Sequence, residues 1–406
     1  MSLVKKMTLK TVSLITFSTI LGVSSTHADN SSQQLRNTIV DTQRVISSQA
    51  YNPENNRLEG ISAWINKSEV NWGSDDLGNL DDHKLSYEIG LKNREQLRTE
   101  QELLNLSQKQ SQLKLSTYLE KKLFQRYLSL IDLMSEQNQR RYLQQKHALA
   151  NSELNNWKLK INGDDFRADK LQQADLTLDN VWGEMLENGG SIEQLRGSSG
   201  IRQLEKTLSI HHMLATTNRI LKTGEYKKNN GSIKQADMDI RYAAKQAQRN
   251  SAKQKLSLNS FKLDYDKNDD DFGVSLGVRI PLSQNSYERL QEKQRLHYAG
   301  LEAQNIRLKI AEQLREKQNQ LRLLSHQWQS MIKVENKINA RITRLSSSTN
   351  LDLIFDLKGH LLEVQKRKER TKTQALREYI GFLNKAEMLS AKPYRNWILV
   401  RNPRLF

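Results

Sequence analysis

From Leu91 to Asn162 the chain runs for 72 residues without a glycine or a proline. Continuous helix over that span would be roughly 110 Å long, far more than an ordinary globule accommodates. The chain's four prolines stand at positions 53, 281, 393 and 403, so no proline ring interrupts a helix between Glu54 and Ile280. Within the tract, Phe124, Leu128 and Ile131 form one apolar stripe, and Leu123, Tyr127, Leu130 and Met134 form another beside it. Two adjoining stripes predict a helix with neighbours on both sides, where a plain coiled coil would show one narrow seam.

Short alternating segments precede the long helices. "HKLSYEIGL" sets Leu85, Tyr87, Ile89 and Leu91 against Lys84, Ser86, Glu88 and Gly90. "FGVSLGVRIPL" from Phe272 does the same with Phe272, Val274, Leu276, Val278 and Ile280 against Gly273, Ser275, Gly277 and Arg279. Both read as two-faced strands. "LEGISAWINK" from Leu58 is expected as the partner of the first, with Ile61, Ala63 and Ile65 on one face and Trp64 on the other, and "SEVNWGSDDLGNLDD" as the polar connection. "KLSLNSFKLDY" from Lys255 is expected to partner the second, joined by "DKNDDD".

A helix follows each strand pair and then turns back on itself, near Gly163 in one case and at "SSSTN" from Ser346 in the other. The predicted fold is therefore mainly α, with long antiparallel coiled helices and four strands per chain, arranged as two copies of strand, strand, long helix, returning helix. The expected divisions are a leader at 1–28, the first copy at 29–190, a Gly/Ser-rich linker with a short equatorial helix near Leu204 to Leu221 at 191–232, the second copy at 233–392, and a C-terminal tail at 393–406. The stretch "GEYKKNNGS" from Gly224 reads as a polar break.

The leader carries Lys5, Lys6 and Lys10, an apolar run and "THA" before Asp29, the pattern of a secretory signal cleaved after Ala28. Losing three lysines and no acid lowers the formal charge from +17 to +14. The remaining basic residues are mixed with acids along helices and form no arginine cluster or aromatic platform, so nucleic acid is not the expected partner. With no cysteine, thiol catalysis and thiolate metal sites are excluded. No spacing suggests a catalytic constellation, a phosphate-binding glycine loop, a cofactor or a metal site. "DKNDDD" lacks the glycine and distal glutamate of a calcium loop and reads as a hairpin tip. His211 and His212, adjacent on a helix, read as surface or packing residues.

Strands of about 9 to 11 residues are the length that crosses a bilayer in a tilted β-barrel. Four strands cannot close, and open edges in lipid leave backbone groups without partners, so either a small soluble sheet forms or several chains pool their strands. Three chains would supply twelve.

The double strand-strand-helix-helix order resembles that of the TolC-type outer-membrane efflux proteins. So do "GVSLGVRIPL", the preceding "DMDIRYAAKQAQRNSAKQKLSLNSFKL", and the starts "DKLQQADLTLD" and "LDLIFDLKGHLLEVQ". The resemblance implies a homotrimer in the outer membrane of a Gram-negative bacterium, with a shared 12-stranded β-barrel in lipid and an α-helical tunnel through the periplasm. It further implies an exit duct of a tripartite efflux pump or type I secretion system, not an enzyme, coupled through a periplasmic adaptor to an inner-membrane RND or ABC transporter. The rival is a non-conducting envelope scaffold or adhesin with a degenerate barrel.

Site expectations follow from that likeness. Asp352 and Asp356, one helical turn apart, match the periplasmic constriction, with Asp169 equivalent in the first copy; Asp352 also suits the positive end of its own helix dipole. Pro281 marks a strand-to-helix junction, because it cannot donate to a sheet ladder. Trp64, Trp72 and Tyr87 suit an interfacial aromatic girdle or, equally, the filling of a small hydrophobic face.

Overall fold

The computed structural model describes residues 61–74, 83–163, 166–187, 207–253, 257–266, 271–279, 286–345 and 351–398. The expected leader, Pro281, the Gly/Ser-rich linker, the reversal at 346–350 and most of the "DKNDDD" turn lie outside them. The chain is mainly helical with one four-stranded antiparallel sheet. A helical turn α1 (Ile61–Trp64) leads into β1 (Ile65–Ser74) and β2 (His83–Leu91), then α2 (Arg94–Leu159) and α3 (Ala168–Glu187). Next come α4 (Ile210–Thr223), α5 (Glu225–Asn229) and α6 (Gly231–Lys253), followed by β3 (Ser257–Asp266) and β4 (Asp271–Arg279). The long α7 (Ser286–Leu345), α8 (Leu351–Lys385) and the short α9 (Met388–Ala391) complete the order.

The 66 residues of α2 form one helix, roughly 100 Å long. Asn93 starts it with a reciprocal cap: its side chain accepts the Gln96 N–H at 2.8 Å, and Gln96 Oε1 accepts the Asn93 N–H at 2.9 Å. Both predicted stripes are used, because α2 packs against α3, α6 and α8. Leu123, Tyr127, Leu130, Ile131 and Met134 are buried and Phe124 is half-buried against them.

These side chains meet Ile210, Met213 and Ile220 of α4, Leu314 and Leu321 of α7, and Leu376, Tyr379, Ile380 and Leu383 of α8 in one core. The segment after α9 belongs to it. Trp397 and Ile398 are buried, the Leu208 N–H donates to the Ile398 carbonyl at 2.8 Å, and the Tyr127 hydroxyl donates to the Arg395 carbonyl at 3.0 Å.

Three expectations are corrected. The first strand is Ile65–Ser74, about seven residues later than "LEGISAWINK", and half of the supposed connection lies within it. Pairing decides this: Trp72 is in register with Leu85, and Val70 stands opposite Tyr87, which keeps these two apolar groups on one face, whereas Ile61–Trp64 close a helical turn whose Trp64 carbonyl accepts the Lys92 N–H at 2.7 Å. The supposed break at Gly224 is two tight corners. Gly224 takes φ 64°, in the left-handed region, and Asn230 bridges the start of α6 to the end of α8 through the Ile233 N–H at 3.1 Å and the Lys385 carbonyl at 2.8 Å. The equatorial helix also begins later than expected, at Ile210, where Ser209 caps it.

Candidate functional site

The sheet order β1-β2-β3-β4 and its register sort the side chains by face. Residues directly opposite in antiparallel strands share a side. One side therefore carries Val70 of β1, Leu85, Tyr87 and Ile89 of β2, Phe261, Leu263 and Tyr265 of β3, and Phe272, Val274, Leu276 and Val278 of β4. The other carries Lys67, Glu69, Glu88, Lys262 and Asp264 with Gly90, Gly273, Ser275 and Gly277. Lys67 pairs with Glu69, and Lys262 with Asp264 at 2.6 Å, so the charges on this face are largely balanced within strands. The bulges between Ile65 and Lys67 and between Leu258 and Ser260 bend the ends of the ladder nearer the helices.

The apolar face is uncovered. Val70, Phe272 and Leu276 are each more than 60% exposed. A contiguous apolar face of this kind on a monomer marks a surface that meets lipid or another chain. Within the sheet, β1 and β4 each have a neighbour on one side only. The strands are 9 or 10 residues long, enough to cross a bilayer when tilted. Among the described residues, no helix is long and apolar enough to cross a membrane.

Of the three predicted aromatics, Trp64 lies in the helical turn beside the sheet rather than in a strand, and is half exposed. Tyr87 sits on the apolar face and its hydroxyl accepts a hydrogen bond from Ser68 Oγ at 3.0 Å. Trp72 holds a strand position opposite Leu85. Ion pairs fix the sheet to the helices: Lys92 Nζ lies 2.8 Å from Glu100, and Arg249 of α6 holds the same carboxylate.

At the far end of α2, Leu154 and Trp157 pack on Ala174, with Leu171 and Leu178 beside them, folding α3 back along α2. Asp352, in the first turn of α8, has Oδ1 4.0 Å from Lys160 Nζ, too long for a direct hydrogen bond. That ammonium also lies 4.6 Å from the Trp157 ring centre. A third carboxylate joins Asp352 and Asp356, because Glu153 of α2 is pushed above the ordinary range by burial and by the charges of Asp356 and Asp352, with Lys170 opposing. Asp169 is different: exposed, it bonds Arg167 at 2.9 Å, which holds its carboxyl below the ordinary range. Glu153 escaped sequence reasoning, since nothing in its neighbourhood in sequence announces the docking of α8 against this part of α2.

No family model matches the sequence, and no curated protein matches it. Solved structures do. The outer membrane protein VceC from Vibrio cholerae is similar over 89% of this chain and 93% of its own, with a TM-score of 0.55 at 10% identity. The Campylobacter jejuni CmeC outer membrane channel is similar over 89% of this chain and 84% of its own, with a TM-score of 0.51 at 10% identity. With its four-stranded antiparallel sheet, its long paired helices and its equatorial core, this chain has the TolC-type outer-membrane-factor fold.

Proposed function

We propose that the chain is a subunit of a trimeric channel in the outer membrane of a Gram-negative bacterium, serving as an exit duct for export. The observation that carries this reading is the sheet: twelve strands from three copies would close into a barrel, cover the open edges of β1 and β4, and turn the exposed apolar face to lipid. Its balanced polar face would line a wet lumen. VceC and CmeC, which share the fold, are outer-membrane proteins, and CmeC is a channel.

In this reading Pro281 ends the β4 ladder before α7, and Trp64, Trp72 and Tyr87 lie toward the membrane boundary. The helices extend into the periplasm. Their far ends form the narrow gate, where threefold symmetry brings the Asp352 and Asp356 carboxylates round one axis with Glu153 behind them; Asp169, tied to Arg167, contributes less. Opening is a population shift: a periplasmic adaptor that binds the splayed arrangement better than the closed one favours it, and an inner-membrane RND or ABC transporter supplies the energy.

The test is reconstitution of the mature chain. Cross-linked trimers and discrete single-channel currents in a planar bilayer are expected. A water-soluble monomer that leaves liposomes impermeable would overturn the proposal and favour the scaffold.

A further inference from the structure

Where α8 gives way to α9, the corner from Ala386 to Ser390 rests on α2 and on the start of α6. Two carboxylates are buried in it. Glu120 of α2 is 3% exposed and accepts the Leu389 and Ser390 N–H groups; Glu387, in the corner itself, is 8% exposed. Leu119, Leu123, Ala386, Met388 and Leu389, their neighbours along the chain, all belong to the apolar core. Glu387 Oε2 makes no hydrogen bond there, and a Cβ on Gly231 would stand 2.8 Å from it. Among the described residues Glu387 alone, glycine apart, has a positive φ. That backbone is strained, and only the surrounding packing holds it.

Two like charges shielded from water repel strongly, so the closed corner accommodates a pair of ionised carboxylates poorly. The groups that face them do not cancel this. Lys234 of α6, exposed, lowers the Glu387 carboxyl only in part, and burial keeps it raised. From α2, Tyr127 faces Glu120 with a hydroxyl that donates to the Arg395 carbonyl of the tail; Tyr379 of α8 and the Arg395 guanidinium act on that hydroxyl. Lys392, just beyond α9, is held by Glu225 of α5.

We propose that this corner is a proton-operated latch. With Glu120 protonated, α9 and the tail stay against α2; loss of that proton opens the corner, relaxes the Glu387 backbone and gives both carboxylates water. Acid therefore locks the joint and neutral surroundings loosen it. The inference concerns one chain and does not rest on the channel reading.

The experiment is amide hydrogen exchange, read by mass spectrometry on the purified full chain between pH 5 and pH 8, with each rate corrected for the intrinsic effect of pH. Glu120 titrates near the ordinary 4.5 once the corner is open and near 7 while burial holds it closed. Protection of residues 386–398 should thus fall about tenfold per pH unit up to pH ~7 and level off above it. At each pH these amides should exchange faster than those of Leu123 to Met134 in the core, the mark of local opening. Glu120→Gln should flatten the profile, whereas Glu225→Gln, which removes a carboxylate beside the same corner, should keep the parent's slope. A flat parent profile, exchange at 386–398 no faster than in the core, an unchanged slope in Glu120→Gln, or a lost slope in Glu225→Gln would each overturn the latch.

Discussion

Arg249 grips Glu100 with two hydrogen bonds, from Nε at 3.1 Å and Nη2 at 2.8 Å, and so ties α6 to α2 just beyond the sheet. Lys92, at the end of β2, bonds the other carboxylate oxygen at 2.8 Å. Burial pushes the Glu100 carboxyl up, but the bonds to Lys92 and Arg249 outweigh it and hold the group below its ordinary range. A carboxylate lowered on folding stabilises the fold above its unfolded pKa, and that contribution is lost as pH falls through the folded one. Glu100→Gln should leave two cations half-buried without a counter-charge and cost about 3 kcal/mol at neutral pH. Thermal unfolding read against pH checks it: the variant should lose less stability than the parent as the solution is taken below pH ~4.

A pair of carboxylates acts with the opposite sign. Glu120 of α2, buried, accepts the N–H groups of Leu389 at 3.4 Å and Ser390 at 2.6 Å at the start of α9. Burial raises it to about 7, against the pull of the Ser390 and Leu389 bonds and with help from the charge of Glu387. Glu387, also raised by burial, sits at φ 50°, and the backbone N–H groups of Gly231 and Ser232 at the start of α6, together with Lys234, lower it in part. Tyr127 is the other titratable group that faces Glu120, and its hydroxyl is bonded to the tail. Between pH 4.5 and about 7 the folded chain retains a proton on Glu120 that the unfolded chain has released, so stability falls as pH rises. The expected span is about 3 kcal/mol. Glu120→Gln, whose amide oxygen still accepts an N–H, should unfold at a higher temperature than the parent at pH 8 and at a similar one at pH 5.

What could be read in the sequence was whatever is carried by periodicity. The long helices, β2 to the residue, and the burial of Leu123, Tyr127 and Ile131 all follow from local spacing. β1 was displaced because "ISAWI" alternates as well as "VNW" does, and the choice between them is made by Leu85 and Tyr87 across the ladder. The site was half legible: Asp352 and Asp356 share a turn of one helix, whereas Glu153 and Lys160 join them through contacts between residues some 200 positions apart.

At the helix tips, charge and protonation should change together. Asp352→Asn/Asp356→Asn removes two of the groups that hold the Glu153 carboxyl up, so its pKa should move down toward the ordinary carboxylate range. In a planar bilayer the same variant should show reduced preference for cations and altered conductance at low salt, where screening is weakest. Unchanged reversal potentials would remove these residues from the proposed gate.

Whether the apolar face meets lipid or water is decided by a charge placed on it. Val274 of β4 is exposed and stands opposite Leu263, while its neighbour Ser275 lies on the polar face opposite Lys262. On a water-facing surface, Val274→Arg should change stability by no more than about 0.5 kcal/mol. Facing the middle of a bilayer, it should cost about 2–4 kcal/mol. Ser275→Arg, one residue along and on the polar face, should be tolerated in either environment and should shift ion selectivity if that face lines a conducting lumen. Folding into detergent or lipid, followed by heat-modifiable migration on gels, separates the cases. A large loss for Val274→Arg beside a small one for Ser275→Arg is the outcome expected of a barrel wall, and equal small effects would place both faces of the sheet in water.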